Sequence, residues 1–313
     1  MHSSDLAALV VTYRRFDNLK VIVNLCIAAG ITRIYISADG SKNDLDQDDV
    51  TQVELEIERL IREHPKRIIS LVSTENVGAA LNILRSCDWV FKSEKFVVIL
   101  EDDCIPSSDF FAFVRDGEKF LFNDRNVYLI CGSQFAPPTI TKERSCFSIY
   151  PMVWGWATTR DKWNKVSSTM ISLDESKFNL FRFENNDKTF WRAGARRAFE
   201  GYVEGWDSAL VNAIRKLNGN VLVPGSNLVS NIGGDERATH TFQGSKWLDA
   251  QLGSYSESKL EISENRALDD LIRQSLYRIS FRHQITTRIT YIMDKLKINK
   301  KKRLKLSSRW IRN

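Results

Sequence analysis

The chain contains no apolar run approaching the roughly 18 residues that a membrane span requires. Its opening, residues 1–11, has neither a basic start nor a long apolar core. A bilayer-crossing helix and a secretory leader are therefore not expected. Cysteine is sparse and scattered. Cys26, Cys87, Cys104, Cys131 and Cys146 show no CxxC spacing, which argues against a zinc site and against a disulfide framework. The expectation is five reduced, small core residues in a cytoplasmic protein. Internal repeats and low-complexity segments are absent, and no Gly-rich phosphate loop lies near the first apolar run.

With 313 residues and a hydrophobic fraction of 43%, the chain suffices for one large α/β unit or two small domains. Its net charge of +6 conceals a segregation. Residues 271–313 hold 13 of the 45 Lys and Arg and a single acid, leaving 32 bases against 38 acids in the rest. A slightly acidic body thus carries a strongly basic tail.

The first part alternates strand and helix signals. "LAALVVTY", "RIYIS", "RIISLVS" and "KFVVIL" are short β-rich runs. Between them, helical spacing covers Phe16 to Ala29 (stopped by Gly30), "VELEIERLIREH" and "VGAALNILRSCDWVF". This alternation predicts a mainly parallel sheet flanked by helices. Beyond it, "FFAFVRDGEKFLF" reads as a helix and "NVYLICGSQF" as a strand. Signals are then irregular to about Glu200, after which "WDSALVNAIRKLNG" and "NVLVPG" read as helix and strand. Residues 246–264 read as a polar linker.

In such sheets ligands bind outside the carboxyl ends of the strands. The polar clusters fall there: "TYRR", "SADGSKND", "STENVG" and "EDD". The last is Glu101-Asp102-Asp103, three carboxylates directly after a buried run. Their mutual repulsion is costly unless offset by a positive charge or by water. The triplet is either a solvated turn or a site for a hard cation such as Mn²⁺ or Mg²⁺, which prefers carboxylate and phosphate oxygen.

Several other residues could complete a site, each with a plainer role available. Asp39 is a turn residue or an acceptor for a base N–H. Arg14 is a surface arginine or meets a base or phosphate. Asn76 and Gly78 supply turn chemistry or open a helix whose N–H groups face phosphates. Asp207 is a helix-start dipole partner or a general base. His240 is structural or binds metal or diphosphate.

Taken together, these segments resemble the GT-A glycosyltransferases. They are most similar to a bacterial group of nucleotide-diphospho-sugar transferases of polysaccharide and lipopolysaccharide synthesis, sometimes labelled haemolysin-like. The matching stretches are "YISADG", "ENVG", "ILEDDCIPSSDFF", "YPMVWGWATTRDKW", "WDSALVNAIRKLNG" and "NLVSNIGGDERATHT", in family order over about residues 6–241. A more distant likeness is to the N-acetylglucosaminyltransferase I type.

The resemblance implies a Rossmann-like GT-A sheet, with residues 1–130 binding the nucleotide sugar and 131–245 forming the acceptor-binding, catalytic half. Residues 246–313 would be linker and basic helical tail. Asp103 would ligate Mn²⁺ or Mg²⁺, while Glu101 and Asp102 hold ribose or metal-bound water. Asp39 would read the base, flanked by Arg14, with Asn76 and Gly78 also at the nucleotide and His240 at the metal. Asp207 would deprotonate the acceptor if the reaction inverts, although Ser208 stands where the distant family has a second acid. Trp154, Trp156 and Trp206 would wall the donor or acceptor sugar, or pack in the core.

The implied activity is hexosyl transfer from a nucleoside diphosphate sugar, UDP-linked by preference, to a glycan or lipid-linked acceptor. The tail is expected to lie as an amphipathic helix on an anionic inner membrane surface. One alternative is a sugar-nucleotide nucleotidyltransferase, which needs a Gly-rich loop that this chain lacks. Another is a nucleic-acid binder using the tail, which would leave the acidic triplet unexplained; no nucleic-acid partner is expected.

Overall fold

The structure is a computed structural model and describes residues 5–171, 206–234, 250–260 and 265–276. His240 and all of the tail beyond residue 276 lie outside these residues.

The elements run β1 (Ala7–Thr12), α1 (Phe16–Ala28), β2 (Ile34–Ala38), α2 (Gln47–Glu63), β3 (Ile68–Val72), α3 (Ala79–Val90), β4 (Phe96–Glu101), β5 (Cys104–Pro106) and α4 (Ser108–Asn123). They continue with β6 (Val127–Cys131), α5 (Pro138–Thr141), β7 (Cys146–Ser148), β8 (Trp156–Thr159), α6 (Arg160–Ile171), α7 (Asp207–Lys216), β9 (Asn220–Val223), β10 (Val229–Asn231) and α8 (Arg266–Leu271).

Among the described residues, eight strands form one sheet in the order β3-β2-β1-β4-β8-β6-β9-β7. β1 pairs in parallel with both β2 and β4, and β2 with β3. β8 runs antiparallel to β4 and β6, β9 is parallel to β6, and β7 closes the edge antiparallel to β9. The mainly parallel α/β sheet expected from the alternating pattern is what forms. After β1 the chain winds outward to β3, then returns to lay β4 on the other side of β1. The sheet therefore has a topological switch point between β1 and β4, where the carboxyl ends of two strands part and leave a crevice.

Every residue of β1 is buried, because helices cover both faces of the sheet. Side chains alternate between them. Leu9 and Val11 join the core with Val97, Ile99, Ile83 and Cys87 of α3, Trp163 of α6 and Leu210 of α7. Ala8 and Val10 join the opposite core with Val98, Leu100, Leu19 and Ile22 of α1, Val53 of α2 and Phe110 of α4. In α2 the buried Val50, Val53, Ile57 and Leu60 keep to one face by their spacing. Gly30, at φ +79°, ends α1 in the left-handed conformation that favours glycine. All five cysteines are buried and unpaired.

Two stretches differ from expectation. The irregular region after Cys131 holds β7, β8 and α6; strands of three and four residues are too short to show a period. Within the polar linker, residues 250–260 are docked. Gly253 N–H donates to the Asn227 carbonyl (2.8 Å), and Tyr255 donates its N–H to Asp109 (2.8 Å) and its hydroxyl to Asp116 (2.9 Å). One aromatic anchors a segment whose polarity concealed its packing. No helix among the described residues is long and apolar enough to cross a membrane.

At the β7 edge, α8 buries Leu268, and Asp269 accepts from Ser148 Oγ (2.6 Å) and Ile149 N–H (3.3 Å). Burial pushes the Asp269 carboxyl up to about 6, against those hydrogen bonds and the nearby Arg215. A carboxyl raised above its unfolded value of roughly 3.9 favours folding fully only below that value. The contribution is lost as pH rises through 6. Asp269→Asn keeps an acceptor for Ser148 without the charge. It is expected to leave stability at pH 4 nearly unchanged and to raise it at pH 7.5 by on the order of 1–2 kcal/mol, measured by urea unfolding at both pH values.

Candidate active site

The acid triplet sits at the switch-point crevice, and strand alternation sends its members in different directions. Glu101 ends β4 on the side of Val97 and Ile99, facing α3 and α7. Asp102 turns to the side of α1. Its Oδ2 accepts from Thr12 Oγ1 (2.9 Å) and Tyr13 N–H (2.8 Å), its carbonyl accepts from Asn18 Nδ2 (2.9 Å), and Arg15 Nε lies 3.8 Å from Oδ1. Asp102 thus braces the end of β4 against the end of β1 across the crevice. Burial, with the charge of Asp103, pushes its carboxyl up to about 6, opposed by Tyr13, Thr12 and Arg15.

Asp103 is held through its main chain, whose carbonyl accepts from Ile232 N–H (2.8 Å). Its Oδ1 accepts a weak bond from Cys104 Sγ (3.2 Å). β5 pairs antiparallel with β10, Cys104 opposite Asn231, so the loop after β10 returns over the triplet.

Glu101 is half-buried, and desolvation drives its carboxyl well above the usual range. The charges of Asp103, Asp102 and Asp207 add to the shift. Asp207 opens α7, so folding brings a carboxylate from the second half of the chain to within electrostatic reach of Glu101. Glu101 thus feels like charge from two distant segments of the chain.

The other expected residues are placed as follows. Asp39 is buried, and its carboxylate accepts from Val77 N–H (3.0 Å), Gly78 N–H (2.9 Å) and Gly40 N–H (3.2 Å). Burial raises its pKa in spite of those bonds. Asn76 Nδ2 donates to the Gly40 carbonyl at 2.8 Å. Asp39, Asn76 and Gly78, at φ +83°, therefore stitch the loops after β2 and β3 together.

Arg14 turns away from the acids and pairs with Asp49 of α2 (2.8 Å). The arginine beside the triplet is its neighbour, Arg15, which is only 5% exposed. Trp156 has no exposed surface and its Nε1 has no hydrogen-bond partner. It packs between Trp163 (5.9 Å) and Trp206 (5.7 Å), its ring tilted by 38° and 39° to theirs. Trp156 is a core residue rather than a sugar-facing wall, and Trp206 packs with it. Trp154 is half-buried, edge-on to Phe135 at 4.9 Å.

Sequence reading missed Arg15 and Asn18, which reach Asp102, and Gly233, which faces Asp103 and is held by Asn231. It also missed Tyr13, whose hydroxyl bonds Asp46 in the loop before α2. The signals available were "TYRR" after β1, which holds Tyr13 and Arg15, and "NLVSNIGGDERATHT", which holds Asn231 and Gly233.

Among the described residues, no three His, Cys, Asp or Glu side chains converge as a preformed metal cage. The donor set nonetheless suits a hard cation completed by a ligand's own oxygens. Asp103 offers carboxylate oxygen beside half-buried like charges, whose repulsion a cation would relieve.

No protein-family model matches the chain, and no curated protein matches it in sequence. Solved structures do resemble it. The inositol-1-phosphate CTP transferase from T. maritima is 11% identical, with a TM-score of 0.41 over 82% of this chain and 96% of that one. UDP-glucose pyrophosphorylase complexed with UDP-glucose is 9% identical, with a TM-score of 0.36 over 70% and 89%. The glycosyltransferase GlyE of Streptococcus pneumoniae TIGR4 is 13% identical, with a TM-score of 0.30 over 58% and 41%.

Proposed function

We propose that the chain is a metal-dependent glycosyltransferase, moving a sugar from a nucleoside diphosphate to a hydroxyl of a glycan or lipid-linked acceptor. The observation that carries this reading is that the charge of Asp207, from the second half of the chain, acts on Glu101, the first of three consecutive acids at the end of β4. The reading rests on that arrangement and not on the structural neighbours. Mn²⁺ or Mg²⁺, held by Asp103 and the diphosphate oxygens, would neutralise charge developing on the departing diphosphate. Asp102 keeps the crevice in register by tying β4 to β1. Asp207 is the general base that takes the proton of the attacking hydroxyl, which corresponds to inversion by direct displacement.

Transfer of the nucleotidyl group instead would call for a phosphate-gripping loop after β1. Only residues 13–15 separate β1 from α1, and none is glycine. The two reactions separate cleanly in one assay. UDP-, GDP- and TDP-sugars are incubated with Mn²⁺, with and without pyrophosphate. Slow release of the nucleoside diphosphate by hydrolysis supports glycosyl transfer. Pyrophosphate-dependent formation of a nucleoside triphosphate would overturn it.

A further inference from the structure

The loop after β10 touches the acid triplet at Gly233. Asn231 Oδ1 accepts the Gly233 N–H at 2.8 Å, and Arg15 Nη2 reaches the Gly233 carbonyl at 3.5 Å. The same guanidinium lies 3.8 Å from Asp102. Gly233 is thus held on both sides of its α-carbon, which faces Asp103. A Cβ at this position would lie 2.2 Å from Asp103 Oδ2, 3.0 Å from its Cγ and 3.0 Å from Asn231 Oδ1. Gly233 does not adopt a left-handed φ, so no left-handed backbone calls for glycine there. What the position requires is the absence of a side chain.

We propose that Gly233 is a positioning residue that sets the direction of the Asp103 carboxylate, with Arg15 and Asn231 fixing the glycine in place. The inference rests on the reading of Asp103 as the metal ligand. It makes the loop after β10 part of the metal site without contributing a ligand to it. Its distinctive consequence comes from what the added methyl group would strike. The atom met is the rotatable end of a side chain, so the clash is relieved by turning the carboxylate while the main chain stays put. Gly40 is the contrast. A Cβ there would meet Glu75 backbone atoms at 2.7 and 2.8 Å, which cannot turn aside.

The test compares wild type, Gly233→Ala and Gly40→Ala. Tm is measured without ligand, and the affinity for UDP, GDP and TDP is measured with and without Mn²⁺. For Gly233→Ala the expected result is an unliganded Tm within about 1 °C of wild type. Its Mn²⁺-dependent affinity is expected to fall at least tenfold, with metal-free affinity unchanged. Gly40→Ala is expected to lower Tm by several degrees. Wild-type Mn²⁺-dependent affinity in Gly233→Ala would overturn the proposal while leaving the metal-site reading intact. So would a Tm lowered as far as by Gly40→Ala, because the clash would then fall on the main chain. Absence of Mn²⁺-dependent binding in wild type would overturn the metal-site reading itself.

Discussion

Asp103→Ala is expected to erase the Mn²⁺-dependent rise in Tm that the matching nucleoside diphosphate gives the wild type. A ligand present at a hundred times its Kd stabilises by about 2.7 kcal/mol, which for a chain of this size corresponds to roughly 5 °C. Without the carboxylate assigned to the metal, that shift is expected to fall below about 1 °C. Folding should scarcely notice the change. Asp103 is anchored through its carbonyl to Ile232, a bond that alanine keeps, and removing a charge relieves Glu101 and Asp102 of a repelling neighbour.

Asp102→Ala is the informative counterpart. It orphans the donors of Thr12 and Tyr13, at a cost of about 1–3 kcal/mol, and so lowers Tm before any ligand is added. Differential scanning fluorimetry on the three proteins with UDP, GDP, CMP and TDP, each with and without Mn²⁺, distinguishes the roles. A full metal-dependent shift in Asp103→Ala would remove the metal assignment.

The contrast between these neighbouring acids marks how far the sequence could be read. The doubly wound half was legible because its strands are continuous apolar runs separated by helices with clear spacing, as in β1, α2 and β4. The carboxylates at the end of β4 were legible as a group, since a strand end in such a sheet is where ligands gather. Their division of labour was not. It depends on which face each side chain takes once β4 ends, and on the partners that β1 and α1 supply from about 90 residues away. Arg14 and Arg15 are alike in sequence and opposite in placement. One pairs outward with Asp49 and the other is buried beside Asp102. Trp156 stayed open between two roles for the converse reason: an aromatic in a four-residue strand is equally suited to a core and to a sugar, and its packing with Trp163 and Trp206 was not legible in the sequence.

Asp207→Asn is expected to separate binding from chemistry. Asparagine is nearly isosteric and keeps a side-chain oxygen at the start of α7, so the helix and the Trp206 packing beside it persist. The substitution also removes one of the charges pressing on Glu101. Stability should hold or rise slightly, and the Mn²⁺-dependent affinity for the diphosphate should stay within about threefold of wild type, since Asp207 is not assigned to the metal. Turnover has no such cushion. A positioned general base is worth about 10²–10⁴ in rate, and an amide cannot accept the hydroxyl proton, so kcat is expected to fall by at least about a hundredfold with KM for the donor little changed. Donor hydrolysis and sugar transfer measured on the same preparation give both quantities. Wild-type kcat in Asp207→Asn would take the base role from this residue. A loss confined to diphosphate affinity would instead place Asp207 among the groups that hold the donor, and the attacking hydroxyl would then need a base from another part of the chain.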